Sequence, residues 1–264
     1  MRYAKGSSVI SAERDIPLLR HVRNCRFVGH CQLFELLQYD AVASSRTTFN
    51  WRVHRLLKAR YISRLESVCW QGSPIYSVTQ NGLLELESQG DFAIILNSRT
   101  RHMPHRSQVF HALELNAIRL ALARNLLLVS WQSDVEIGSL NVVSTSPFQK
   151  DYDAIVKIWL GQEVREFALE YERSLKSSKQ YAHIRAALEA EHRVPSILYV
   201  TVDPDLMLAL LYQLLPASKP IGFLTARCFK QELLAAMVRT DACGSCVSLE
   251  RFLEFSHPLY MAAQ

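Results

Sequence analysis

The stretch "FALEYERS" sets two glutamates, Glu170 and Glu172, one residue apart behind the apolar Phe167 and Leu169. The run reads as a strand, and side chains two apart on a strand share a face. Upstream, "DYDAIVKIW" carries Asp153 at a strand start, and "HALELNAI" carries Glu114 on a helix. Asp153 and Glu170, with Glu114 as a third acid, could hold Mg²⁺, which prefers oxygen ligands and stabilises a phosphodiester transition state. Such a site wants a lysine two residues beyond Glu170, beside the attacking water. Glu172 stands there instead and reverses the charge. Lys176, Lys179 and Gln180 on the following helix are the nearby replacements. Without one, neighbouring carboxylates repel and one of them tends to hold a proton. The plainer alternative is a strand end with Glu172 in water.

A second set of residues suits a different chemistry. Residues 44–64 contain Arg46, Arg52, Arg55, Lys58, Arg60 and Arg64 and no acid. Within them, Phe49, Val53, Leu56 and Leu57 recur at helical spacing and form an apolar stripe, with Ser44 or Ser45 as the cap. That leaves Arg46, Thr47, Thr48, Asn50, Trp51, His54, Arg55 and Lys58 on or near the opposite face, with Arg64 just beyond. Short hydroxyls and an asparagine can approach base edges, asparagine pairing with adenine, while cations reach guanine or phosphate. A merely solvated basic face is the common alternative.

The elements around these residues sharpen both readings. "SAERDIPLLRHVRNC" predicts a helix begun at Ser11, and "GHCQLFELLQ" a second short one, before the basic third. "YISRLESVCWQGSPIYSVT" alternates on either side of Gln71-Gly72-Ser73-Pro74 and predicts a hairpin; "TQNGLLELES" resumes a helix. Three helices and a hairpin are the winged helix-turn-helix layout, assigned to residues 1–92. Residues 93–106, with Arg99, Arg101, His102, His105 and Arg106, read as a basic linker. Residues 107–264 form the second domain. It opens with a long helix, followed by strands at "LLLVSWQSDVEI", "YDAIVKIWL" and "VREFALEYE". A helix capped by Ser174 comes next, then the strand "PSILYVTV", the helix "DPDLMLALLYQLL" and the strand "KPIGFLTA". The second and third strands should pair as a hairpin around Gly161-Gln162. The class is α/β (α+β overall), and the αβββαβ order is the core of the restriction-endonuclease-like, PD-(D/E)xK fold. The tail from Ala226 has no assignment.

The bulk composition permits these readings. The chain has 264 residues, 49% hydrophobic, with a net charge of +5, a mild basic balance that allows nucleic acid without requiring it. No apolar run reaches the ~18–20 residues of a membrane span, and the N-terminus lacks a signal-like apolar core. A cytoplasmic protein with no membrane partner is expected. Of six cysteines, only Cys243 and Cys246 form a CxxC, a weak zinc signal on its own. No cofactor is expected beyond Mg²⁺, and that only for an active nuclease-like site.

The motifs taken in order resemble the replication-relaxation family of plasmids and other mobile elements. The matching stretches are "ERDIPLLRHVRNCRFVGHCQLFELL", "SSRTTFNWRVHRLLKARYI", "GSPIYSVTQNGLLEL", "FHALELNAIRLAL", "YDAIV", "FALEYERSLKS" and "ILYVTV". They run over roughly residues 12–215. The resemblance implies a winged helix fused to a nuclease-like domain. The family commonly carries acid-x-acid where nucleases carry acid-x-lysine, so Glu172 fits it; Tyr152-Asp153 departs from its usual proline-aspartate. It implies sequence-specific binding of double-stranded DNA in replication, mobilisation or transcriptional control, as a homodimer or with a relaxase, replication or transposition protein. The alternatives are a Mg²⁺-dependent nuclease or nickase using Asp153 and Glu170, and a dimeric repressor of its own promoter.

Overall fold

The computed structural model, which describes residues 10–43, 45–94 and 105–255, is mixed helix and strand with two sheets. The chain divides between Asn116 and Ala117, inside the helix α5 (Arg106–Arg124), rather than at residue 107. The reason is packing. The first half of α5 buries Val109 and Leu113 against Ile75, and the Leu113 carbonyl accepts a hydrogen bond from buried Gln32. Ser44, most of the basic linker and the residues after Phe255 lie outside the described residues.

In the first unit, α1 (Asp15–Asn24) buries Ile16, Leu18, Leu19 and Val22, and α2 (His30–Tyr39) buries Leu33, Leu36 and Leu37. The basic helix α3 (Arg46–Lys58) buries Phe49, Val53 and Leu56. Apolar residues at a 3.6-residue period thus fix which face of each helix turns inward. Helix α1 starts at Asp15, after a turn in which the Ser11 carbonyl accepts from the Asp15 N–H at 2.8 Å and the Ser11 N–H donates to the Asp15 carboxylate at 2.7 Å. Strands β1 (Val28–Gly29), β2 (Ile62–Trp70) and β3 (Ser73–Val78) form an antiparallel sheet in the order β1-β3-β2. The hairpin closes in two residues: Gln71 and Gly72 have φ of 49° and 73°, the left-handed pair whose twist matches a strand pair. The helix α4 (Gln80–Ser88) is capped by Thr79, whose hydroxyl accepts from the Gly82 N–H. A Cβ on Gly82 would run into the Tyr61 carbonyl and lie 2.7 Å from Val78, so α4 packs there through bare backbone.

The second unit is built on a seven-stranded sheet in the order β10-β9-β8-β7-β6-β5-β4. Strands β4 (Leu128–Ser133), β5 (Ala154–Leu160) and β6 (Glu163–Glu172) are antiparallel, and Gly161-Gln162 makes the expected tight turn. Strands β7 (Ile197–Thr201) and β8 (Ile221–Thr225) continue parallel to β6. Between these strands run α6 (Asp134–Val143), α7 (Ser178–Ala190) and α8 (Pro204–Leu214). Ile155, Ala168, Ile197, Tyr199, Ile221 and Phe223 bury one face of the sheet in a core shared with Tyr181, Leu188, Leu210 and Leu214.

Two expectations are corrected here, and a segment without one gains a structure. The strand at "LLLVSWQSDVEI" stops at Ser133, which caps α6 in a reciprocal box with Glu136. Helix α7 is capped by Ser177 with Gln180, not by Ser174, so Lys176 lies in the loop before it. The unassigned tail is structured. It adds α9 (Ala226–Glu232), β9 (Met237–Arg239), β10 (Cys246–Ser248) and α10 (Leu249–Phe255), and its strands extend the sheet beyond β8.

Candidate functional site

In the first unit, Arg46, Thr47, Thr48, Asn50, Trp51, His54 and Lys58 are all exposed on α3, as expected from their spacing, and Arg64 is exposed on β2. Trp51 is 63% exposed, high for a side chain of its size. Arg46 is steadied by its neighbours: its guanidinium lies 4.7 Å from the Phe34 ring centre and donates to Cys31 Sγ at 3.3 Å. Arg55 is the exception. Its guanidinium donates to the Asp15 carboxylate, which is wholly buried, and Arg52 Nε approaches the same carboxylate to 3.6 Å. Burial pushes the Arg52 guanidinium down and Asp15 pulls it back up. One acid from α1 thus holds two arginines of α3, and Arg55, partly exposed and 5.3 Å from the Trp51 ring centre, links that pairing to the exposed face. The remaining surface offers hydroxyls, an amide, an indole and cations with no acid among them. It can donate hydrogen bonds and neutralise anions.

In the second unit, β5 and β6 bring the acids together. Their register, Ala154 opposite Leu169, carries on to set Asp153 beside Glu170. Glu170 and Glu172 are both buried at the end of β6. Each has its own cation. Lys150 Nζ stands 2.7 Å from Glu170 Oε1, and the Lys176 ammonium pairs with Glu172. Asp153 accepts from the Tyr171 N–H at 2.7 Å. Burial pushes Glu170 above the usual carboxylate range, Lys150 opposes that, and Asp153 adds to it. Burial likewise pushes Lys176 down, while Glu170 pulls it up. Opposite Glu170 on β7 lies Tyr199, fully buried, with its phenol pushed well up by burial and then by Glu170.

Sequence reasoning missed two members of this cluster. Lys150 precedes β5 in a loop without periodicity. Glu191, at the end of α7, is wholly buried and accepts from the Gln149 N–H at 3.0 Å, the Tyr152 hydroxyl at 3.2 Å and the Arg193 N–H at 2.7 Å. It therefore fixes the loop that delivers Lys150. The chain separation explains the miss, since Gln149 and Glu191 lie 42 residues apart. Lys179 is exposed on the first turn of α7. Glu114 belongs to the first unit, and the groups acting on Glu170 are Lys150, Asp153 and Lys176.

Mg²⁺ would need free carboxylate oxygens here. One oxygen of each carboxylate is instead engaged, Glu170 Oε1 by Lys150, Glu172 Oε1 by Lys176 and Asp153 Oδ2 by the Tyr171 N–H, and the two ammonium groups oppose a divalent cation there. Among the described residues, no three His, Cys, Asp or Glu side chains gather as a metal-binding set. That includes Cys243 and Cys246, both exposed free thiols. The arrangement does not fit Mg²⁺, and no hydrolytic step through the metal follows from it. Among the described residues no helix is long and apolar enough to cross a membrane. In comparisons with known proteins, the chain matches no family model, no curated protein and no solved structure.

Proposed function

We propose that the chain binds double-stranded DNA through α3, as a winged helix-turn-helix protein of the replication-relaxation type found on plasmids and mobile elements. The observation that carries this reading is the acid-free exposed face of α3, with Arg46, Thr47, Thr48, Asn50, His54 and Lys58 all turned outward. The setting supports it. Three helices precede a tight hairpin in a three-stranded β1-β3-β2 sheet, the arrangement in which the third helix enters the major groove and the hairpin serves as the wing. Threonines at the N-terminal end of α3 reach base edges, and Arg46, Lys58 and Arg64 meet phosphates.

The second unit is read as a nuclease-like core kept for dimerisation or for contact with a replication, relaxase or transposition protein. Its αβββαβ order carries an inserted α6, and its two buried glutamates, Glu170 and Glu172, are each paired internally with a lysine. A phosphate approaching Asp153, Glu170 and Glu172 meets three acids and lysines already engaged, so cleavage at a useful rate is not expected.

The test takes the full chain, because residues 1–92 alone would strip buried Gln32 of its partner Leu113 and the Phe27 carbonyl of the Asn116 amide that donates to it. Duplex binding is followed by gel shift at low salt. Supercoiled DNA is then incubated with the protein and Mg²⁺ or Mn²⁺. The reading expects a shift without nicking. No shift of any duplex would remove the DNA-binding assignment. Nicking lost in both Glu170→Ala and Lys176→Ala would establish the nuclease instead.

A further inference from the structure

Asn50, on the exposed face of α3, is not free to rotate. Its Oδ1 lies 3.0 Å from His30 Nε2, and His30 Nδ1 lies 3.0 Å from the Tyr76 hydroxyl. The chain of contacts runs from β3 through the first residue of α2 to α3. The imidazole is fixed by packing as well, with ring centres 4.8 Å from Phe49 and 5.8 Å from Tyr76. Tyr76 is buried and Asn50 is exposed, so the buried end of the chain dictates the exposed end.

The protons along this chain follow from the orientation of the Asn50 amide, whose oxygen faces the ring. An amide oxygen only accepts, so Nε2 of His30 must carry a hydrogen. A neutral imidazole then has only a lone pair on Nδ1, and the Tyr76 hydroxyl must donate to it. Burial pushes His30 down, its bond to Asn50 raises it in part, and Arg46 adds to the lowering, so the ring is neutral near neutral pH. Burial also pushes the Tyr76 phenol up, so the tyrosine keeps the proton it donates.

We infer that His30 is a positioning residue for base recognition: it holds the Asn50 carbonyl toward α2 and turns the Asn50 NH₂ group outward, so that Asn50 reads hydrogen-bond acceptors, guanine first. This rests on the DNA-binding reading of α3. In the major groove guanine presents two acceptors, N7 and O6. Adenine presents one acceptor and one donor, and that donor needs an amide oxygen facing it. Cytosine presents only a donor. An unconstrained asparagine satisfies adenine with both ends of its amide. Asn50, with its oxygen turned away, does not.

The test selects sites from a randomised duplex library with the full-length protein and with Asn50→Ala, His30→Phe and Tyr76→Phe. The position read by Asn50 is the one whose preference disappears in Asn50→Ala. In the wild type that position is expected to be guanine. Phe in place of His30 keeps a ring against Phe49 and frees the amide. Phe in place of Tyr76 removes the donor to Nδ1, so the imidazole can carry its hydrogen there and accept at Nε2 from a flipped Asn50. Both variants are expected to move the preference toward adenine, with a change of about tenfold in the guanine-to-adenine ratio. Affinity for a non-specific duplex and the circular dichroism melt should hold, which separates lost positioning from lost folding. Adenine at that position in the wild type, no position dependent on Asn50, or unchanged selections in both ring variants would each overturn the inference while leaving DNA binding intact. A wild type that binds no duplex overturns the DNA-binding reading first, and this inference with it.

Discussion

Helix α3 and the end of β6 both concentrate ionisable residues, and they dispose of that charge in opposite ways. On α3 the buried Arg52 and the partly buried Arg55 are paired with Asp15, while Arg46, His54 and Lys58 stay exposed. At the end of β6 each buried acid has a cation of its own, Lys150 for Glu170 and Lys176 for Glu172. A binding surface needs charge that the protein itself has not compensated. The first unit keeps such charge and the second has closed over it. Paired acids at a strand end are therefore weaker grounds for chemistry than a basic face without acids is for binding.

The comparison can be broken first at Asp15. Asp15→Asn leaves two guanidiniums without their buried anion, and removing one partner of a buried pair costs about 3–5 kcal/mol. Urea unfolding followed by circular dichroism should show the first unit lost or strongly destabilised, and DNA binding lost with it. An unchanged midpoint would mean that the inward pairing does not hold α3 in place. Gly82→Ala sharpens the same point about the frame. Its Cβ would collide with the Tyr61 carbonyl, and overpacking of this kind costs about 1–3 kcal/mol.

In the second unit the expected effect is smaller and appears as a pH dependence. Glu170 is raised above its ordinary value of 4.5, so between that value and its folded-state value the native protein holds a proton that the unfolded chain has released. Stability therefore falls as pH rises through this window. Glu170→Gln should flatten that part of the melting-temperature profile. A slope that persists in the variant would place the buried proton on another group.

How much of this was legible depends on distance along the chain. The α3 stripe of Phe49, Val53 and Leu56 could be read because its period is local, and so could the Gly161 turn that sets Asp153 beside Glu170. Helix α6 carried a readable signal that was passed over, since Ser133 and Glu136 have capping-box spacing. Arg55 looked like a surface cation because the acid that claims it lies 40 residues earlier. Lys150 and Glu191 gave no local sign, because only the folded sheet brings them to Glu170 and Tyr152. Local patterns thus disclosed the faces of the elements, and the internal compensation of charge appeared only in the fold.

The central claim is that α3 holds uncompensated charge and the β6 cluster does not. Two substitutions that remove the same formal charge test it directly: Lys58→Ala on α3 and Lys176→Ala beside Glu172, each measured as the salt dependence of full-chain affinity for duplex DNA. Each phosphate contact contributes about 0.9 to the slope of log affinity against log salt. The account predicts a slope lower by about that amount for Lys58→Ala and an unchanged slope for Lys176→Ala. A slope reduced by Lys176→Ala and untouched by Lys58→Ala would contradict it.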